Sequence, residues 1–446
     1  MSKYNNHIRK LTLSTLSLSL LALSSSVHAA GFGLMEQNAS GLGNAYAGSV
    51  AIADNASTIF FNPAGMSRLP GLQISIGGAL VKPGFKFKNN GQSTLPGYFS
   101  APGSLAPIQL GGNGGDAGTI GFLPNAYISY QLNDRIHLGL GLGAPFGLKT
   151  EYDDDWLGRY HSRSFDIKTY NINPSMSFKV NEQFSIGAGL NIQHINATYQ
   201  KSVPVPIPVA PGVIRFADGE AEAKLKKTAL GWNIGFLYEP VPDTRFGFSY
   251  RSRLKHKATG DTEVVFNVPG RGQQTLSSES SATVSLPDMA ILSAYHRLNE
   301  RWEIMGDISW TGWSSIPELA IKNNAPLQDT TLDLRFKDSW RIALGANYQL
   351  NPAWKLKAGV AWDQSPVRKA SHRPASLPDN ERWWFSVGAQ YKPSENTAID
   401  LGYTYLYIPS AKVDNTNGGN LAQYGRLAGK YTGNGHILGV QVSHRF

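Results

Sequence analysis

The sequence predicts an all-β protein, a 14-stranded antiparallel transmembrane β-barrel plugged by an N-terminal hatch. Three observations predict it: the chain opens on an export signal, its later segments alternate apolar and polar residues, and the connections between them are alternately short and long. Of 446 residues, 41% are hydrophobic and only 16% charged, whereas 47 Gly, 19 Tyr, 19 Phe and 10 Trp favour strands and turns over charged helices. The mean hydropathy is -0.25 and no run of 18 or more apolar residues occurs, which excludes a polytopic helical membrane protein. Cysteine is absent, which removes disulfides, thiolate metal sites and cysteine nucleophiles.

Residues 1–29 read as a signal peptide. Lys3, Arg9 and Lys10 form a basic start, Leu11 to Leu23 an apolar stretch, and Val27-His28-Ala29 a small-residue site with cleavage after Ala29. A membrane anchor would need about 20 apolar residues. Losing the three basic side chains lowers the formal charge from +9 to +6. The remaining Lys and Arg are spread over many segments, which argues against nucleic acid and toward solvated surface or lipopolysaccharide phosphates.

Fourteen strands are expected near residues 72–81, 120–132, 136–144, 166–180, 184–199, 227–239, 244–255, 282–298, 302–313, 337–350, 354–362, 381–392, 397–408 and 435–446. The thirteenth shows the pattern: Ile399, Leu401, Tyr403, Tyr405 and Tyr407 share one face, and Ala398, Asp400, Gly402 and Thr404 the other. Aromatic residues bracket apolar faces, as Trp302 with Trp310 and Trp354 with Trp362 do, which suits two membrane interfaces. Tight turns are expected at Asn133-Asp134, Asn181-Glu182, Pro240 to Asp243, Asn299-Glu300, Asn351-Pro352 and Pro393 to Asn396. The other seven connections are long. An outer-membrane barrel with both ends in the periplasm has this asymmetry, and the last strand ends on the outward Phe446. Residues 30–71 do not alternate. They are rich in Gly, carry Phe60-Phe61-Asn62-Pro63-Ala64-Gly65, and form the expected plug, because a barrel this wide cannot be filled by its wall side chains alone. Residues 72–446 form the barrel.

Ala30-Gly31-Phe32, Ser40 to Gly48 and Asn62-Pro63-Ala64 resemble the FadL family of outer-membrane transporters for long-chain fatty acids and other hydrophobic compounds, including its toluene and xylene branch. Ala144 to Tyr152, Trp156 to His161, Leu286-Pro287-Asp288, Trp310 to Trp313, Leu377-Pro378-Asp379 and Arg382-Trp383-Trp384 resemble that family's landmarks too, so the likeness covers residues 30–446. It implies passive uptake of a hydrophobic compound, with Asn62, Pro63 and Ala64 as the hatch motif and sideways release into the membrane. Ten methylenes moved into an apolar pocket gain about 8 kcal/mol before association costs, so release requires a rearrangement. Gly139, Gly141 and Gly143 share the inward face of the third strand and precede Pro145, making this strand the candidate for a kink and lateral opening.

The stretch 203–214 is apolar for an exterior loop, and Val205, Ile207, Val209, Val213 and Ile214 are candidates for capture, with Tyr98, Phe99 and Leu105 enriching the first loop similarly. A carboxylate would want a cation. Taking Phe246, Phe248 and Tyr250 as the lipid face puts Arg251, Arg253 and Lys255 in the lumen, with Arg341 and Arg382 also inward, although luminal acids such as Glu303, Asp307 and Asp400 compete for them. Asp153-Asp154-Asp155 could hold a divalent cation but reads more simply as a solvated loop tip. The ten His lack metal-ligand spacing, Gly41-Leu42-Gly43 lacks a third glycine and no G-x-S-x-G occurs. No enzyme activity, cofactor or metal is expected. The expected partners are the hydrophobic small molecule, outer-membrane lipid, lipopolysaccharide and the outer-membrane assembly machinery, for a monomer that binds no nucleic acid. A general porin and a surface adhesin or receptor are the alternative readings.

Overall fold

The computed structural model describes residues 31–100 and 103–446. The expected signal peptide lies outside the described residues. Nineteen strands join one antiparallel sheet. They are β1 Leu72–Asn89, β2 Gly121–Gln131, β3 Ile136–Gly143, β4 Gly147–Glu151, β5 Ser164–Lys179, β6 Phe184–Ala210, β7 Val213–Val241, β8 Thr244–Arg251, β9 Leu254–Val268 and β10 Gly272–Leu286. Then follow β11 Met289–Arg297, β12 Trp302–Thr311, β13 Glu318–Asn323, β14 Thr330–Asp333, β15 Ser339–Asn351, β16 Trp354–Asp363, β17 Arg382–Ser394, β18 Thr397–Asn415 and β19 Leu427–Arg445.

Fourteen of these close into a ring: β1, β2, β3, β5, β6, β7, β8, β11, β12, β15, β16, β17, β18 and β19, with β19 pairing back onto β1 from Gln73↔Arg445 to Asn89↔Gly429. Closure satisfies the backbone where no water can. The outward parity is apolar and exposed, as with Leu190, Leu230, Leu292, Leu344, Val387 and Val440. Short turns recur for one local reason. The Oδ1 of Asn133, Asn181, Asn299 and Asn351 each accepts the N–H groups two and three residues on, which closes the turn without tertiary help.

The long connections are more ordered than expected. β9, β10, β13 and β14 form a sheet on the outer extensions of β6 and β7, and the expected strand 282–298 is two strands broken at Pro287-Asp288. Residues 203–214 are likewise a paired hairpin, with Pro204 opposite Asp218 and a two-residue turn at Pro211-Gly212.

The N-terminal segment lies inside the ring. Its backbone and side chains meet β3 at Gly139, β6 at Gly187, β7 at Gly235, β8 at Gly247, β15 at Gly345, β16 at Gly359, β17 at Gly388 and β19 at Gly439. A single segment can reach all those walls only from the lumen. Leu42, Ala45, Ile59 and Met66 have no exposed surface, and each large apolar side chain buried this way contributes about 1.5–3 kcal/mol.

Candidate functional site

β3 and β4 both pair with β5, Gly143 opposite Asn171 and Gly147 opposite Lys168, so they are one strand broken at Ala144-Pro145-Phe146. Pro145 lacks the N–H that a ladder needs. Residues 32–37 occupy the groups freed by the break: Leu34 N donates to Pro145 O at 2.8 Å, Gln37 Nε2 to Ala144 O at 2.8 Å, and Gly147 N to Phe32 O at 2.9 Å. On the other side, β2 pairs with β3 from Ala126 to Gln131, while among the described residues its residues 121–125 have ladder partners only in β1. The ladder between β2 and the break therefore has a gap, bounded by the single Gly118–Thr150 bridge. A Cβ at Gly139 would strike Met66 and Ile59, and one at Gly143 would strike Gln37, so these glycines admit the N-terminal segment against the wall.

Phe32 leads from this break into an apolar interior. Its ring lies 4.8 Å from Trp313 and 6.2 Å from Phe146, both edge-on. Two cavities of about 30 and 20 Å3 adjoin there, sharing Phe165, Ile167, Val284 and Leu319. Phe32 lines one and Tyr199 the other. Ligand pockets usually measure about 300–1,000 Å3, far more than either cavity, and Phe32 belongs to the N-terminal segment rather than to the wall.

Lys201 stands two residues beyond Tyr199 on the same inward face of β6. The outward residues of β6 change from Leu190 and Ile192 to His194, Asn196 and Thr198, so this part of the strand lies beyond the lipid-facing band. Lys201 is 2% exposed. Its Nζ donates to the Tyr424 hydroxyl at 3.2 Å and sits 4.2 Å from the ring centre, and no carboxylate pairs with it among the described residues. Burial alone pulls its pKa down to about 7, and burial with the Lys201 charge takes neighbouring His161 down to about 3. The result is a buried ammonium group with spare donors, two residues along β6 from Tyr199 of the apolar interior. Sequence reading missed Lys201 because it ended the strand at residue 199; the parity of Ile195, Ala197 and Tyr199, carried two residues further, is the signal that finds it.

At the outer surface, a groove of about 550 Å3 is lined by Leu105, Ile108, Phe216, Val268 and Pro269, with Asp155, Arg159 and Asp218 at its polar side. Val205 and Ile207 are buried beneath it with Ala217, Val264 and Phe266, whereas Val209, Val213 and Ile214 are exposed at the hairpin tip. Tyr98 stacks on Phe216 at 4.4 Å, while Phe99 is buried near Tyr160. Asp154 pairs with Arg163.

The five expected cations are not brought together. Arg251 is buried, donates to Phe60 O at 2.8 Å and to Asn191, and so holds the N-terminal segment. Arg341 donates to Ala45 O at 2.5 Å and does the same from another wall. Arg382 pairs with buried Asp379, whose Oδ2 also accepts from Gly31 N at 3.3 Å. Arg253 and Lys255 are exposed, not luminal. β8 stops at Arg251, Trp232 N bonds the Ser252 hydroxyl, and β9 restarts with Leu254 and His256 inward, which flips the parity. Arg253 instead pairs with Asp288 at 3.0 Å.

Asn62, Pro63 and Ala64 seat in a notch made by Gly187 and Gly235, which face each other across β6 and β7. Asn62 Nδ2 donates to Val50 O at 2.7 Å and Phe236 O at 2.9 Å, and its Oδ1 accepts from Ala64 N at 3.0 Å.

Known proteins share this arrangement along nearly the whole chain. "Outer membrane protein P1" of Haemophilus influenzae is 32% identical over 90% of both chains, and the "Long-chain fatty acid transport protein" of Escherichia coli is 30% identical over 93% of this chain and 94% of its own. The crystal structure of a Pseudomonas aeruginosa FadL homologue superposes with a TM-score of 0.83 at 25% identity, covering 94% of this chain and all of that one. The Pseudomonas putida toluene transporter TodX, at 18% identity and a TM-score of 0.69, shares the fold over 92% of this chain and 98% of its own. Residues 20–446 match the family described as "Outer membrane protein transport protein (OMPP1/FadL/TodX)". The chain belongs to this family of outer-membrane transport proteins.

Proposed function

We propose that this protein takes up long-chain fatty acids passively across the outer membrane. The observation that carries the proposal is Lys201, a buried cation with no acid partner among the described residues, two residues along β6 from Tyr199 of the apolar interior: the two parts match the carboxylate and the acyl chain. The name of the Escherichia coli relative supports the same substrate class.

In this reading the outer groove captures the ligand through its apolar wall, and the chain then enters between Phe165, Ile167 and Val284 with its carboxylate on Lys201. Entry displaces Phe32. Because Phe32 O and Leu34 N bond the strand break, that displacement loosens residues 144–147 and widens the gap beside β2. Residues 30–71 act as the hatch, with Asn62, Pro63 and Ala64 as its hinge against the wall. The ligand leaves sideways into the membrane, driven only by its gradient.

Transporter-deficient cells expressing the protein are expected to take up labelled oleate while excluding a small hydrophilic solute. Toluene entry without oleate entry would replace the fatty acid by a hydrocarbon, and entry of the hydrophilic solute alone would replace the proposal by a porin.

A further inference from the structure

The outer face of β1, β19 and β18 carries an unbalanced row of charge. Above the exposed Leu80 and Leu438, which are register partners in the lipid-facing band, the outward positions of β1 become Lys82, Lys86 and Lys88. Lys88 stands directly opposite Lys430 on β19, and Lys430 directly opposite Lys412 on β18. All five lysines are exposed, and none forms an ion pair with a carboxylate among the described residues. Directly opposed like charges weaken a sheet unless an anion lies between them. The nearby acids form no ion pair with the row: Asp414 holds Arg426 at 2.7 and 3.0 Å, and Asp116, which faces Lys86 across an isolated bridge, accepts from the backbone of Phe85 and Gly118 through Oδ1.

Elsewhere several exposed or half-buried lysines have acids beside them. Lys149 pairs with Glu151, Lys168 with Asp166 and Lys322 with Asp329; Lys224 pairs with Glu222 and faces Asp261 in register. The β1–β19–β18 face differs from these in that Lys88, Lys430 and Lys412 stand opposite one another in register. Its vertical placement also decides the ligand. Lys82 follows Leu80 by two residues, about 7 Å along the strand, at the edge of the lipid band, and Lys88 lies about 20 Å further out. Soluble anions have no reason to prefer a strip that starts at the lipid boundary. A lipid with phosphates at the boundary and more acidic groups above it does.

We infer that this face binds one lipopolysaccharide molecule, with a lipid A phosphate on Lys82 and the acidic inner core over Lys86, Lys88, Lys430 and Lys412. Lysine serves here as a point charge for phosphate, and clustered basic residues beside a bilayer concentrate anionic lipid.

The test compares three full-length proteins extracted from outer membranes: the parent, a variant with Lys82, Lys86, Lys88, Lys412 and Lys430 all changed to Gln, and a charge-matched control with Lys224, Lys226, Lys227, Lys257 and Lys322 changed to Gln. Retained lipopolysaccharide is measured from its 3-deoxy-octulosonate content. The strip variant is expected to retain at least about fivefold less than the parent while the control retains the parental amount. Equal retention by strip variant and parent, or an equal loss in the control, would overturn the inference. Should the strip variant not assemble, native mass spectrometry of the parent with bisphosphorylated and dephosphorylated lipid A decides the matter: preference for the phosphorylated form is expected, and equal binding overturns it.

Discussion

Lys201 and Tyr424 form a cation–ring pair in which the ammonium group has one hydroxyl partner at 3.2 Å and no carboxylate among the described residues. Burying an unpaired ammonium group is unfavourable, so this arrangement stores an attraction for an anion that the protein itself does not satisfy. The first prediction follows directly. Lys201→Gln is expected to weaken oleate binding about 10- to 100-fold, the worth of one charge-assisted hydrogen bond, and to leave the binding of oleyl alcohol unchanged. Equal losses for both ligands, measured by equilibrium binding, would remove Lys201 from the site.

The same residue sets a pH dependence. Its pKa is lowered to about 7 by burial, so the free protein loses this charge as pH rises past neutrality. The fatty carboxylate stays ionised over that range, and only the protonated lysine attracts it. Oleate affinity is therefore expected to fall between about pH 7 and pH 9. Lys201→Gln should flatten the profile; a parent profile already flat over that window contradicts the assignment.

The notch under Asn62 yields a packing prediction. Gly187 and Gly235 have no side chains because Ala64 and Asn62 occupy that space. Gly235→Ala is expected to dislodge the N-terminal segment while leaving the ring closed. Asn62→Ala removes three hydrogen bonds, each worth about 1 kcal/mol, and acts in the same direction. The check is faster proteolysis of the segment in a barrel that remains heat-modifiable on gels. An unchanged digestion rate in both variants would mean that the notch does not hold the segment.

What the sequence reveals depends on which solvent each face meets. Within the lipid band one parity must be apolar, so all fourteen ring strands, Leu438 and Val440 among them, are legible from alternation. Above the band both faces of a strand meet water or other protein, and the alternation fades. β9, β13, β14 and most of β10 escape notice for that reason, as does Lys201. Extending a parity past Ser252 goes wrong because a change of strand there leaves no mark in residue type, so Arg253 and Lys255 read as luminal. The break at Pro145 is legible because proline and three alternate glycines each have their own steric reason to be there. Which cations are free is not legible: Arg251, Arg341 and Arg382 look identical to a ligand anchor until their partners, supplied by residues far away in the chain, are seen.

The central claim is that ligand passage requires the N-terminal segment to leave the strand break. Gly33 and Phe146 form an antiparallel bridge across it, and the chain has no cysteine to interfere. Facing residues in such a pair lie about 4.5–5.5 Å apart at Cα, within the range a disulfide spans. The most direct measurement is labelled oleate uptake by cells expressing the Gly33→Cys, Phe146→Cys double variant, oxidised and then reduced. Uptake is predicted to stop on oxidation and return with dithiothreitol; uptake by the fully cross-linked protein at the reduced rate would contradict the mechanism.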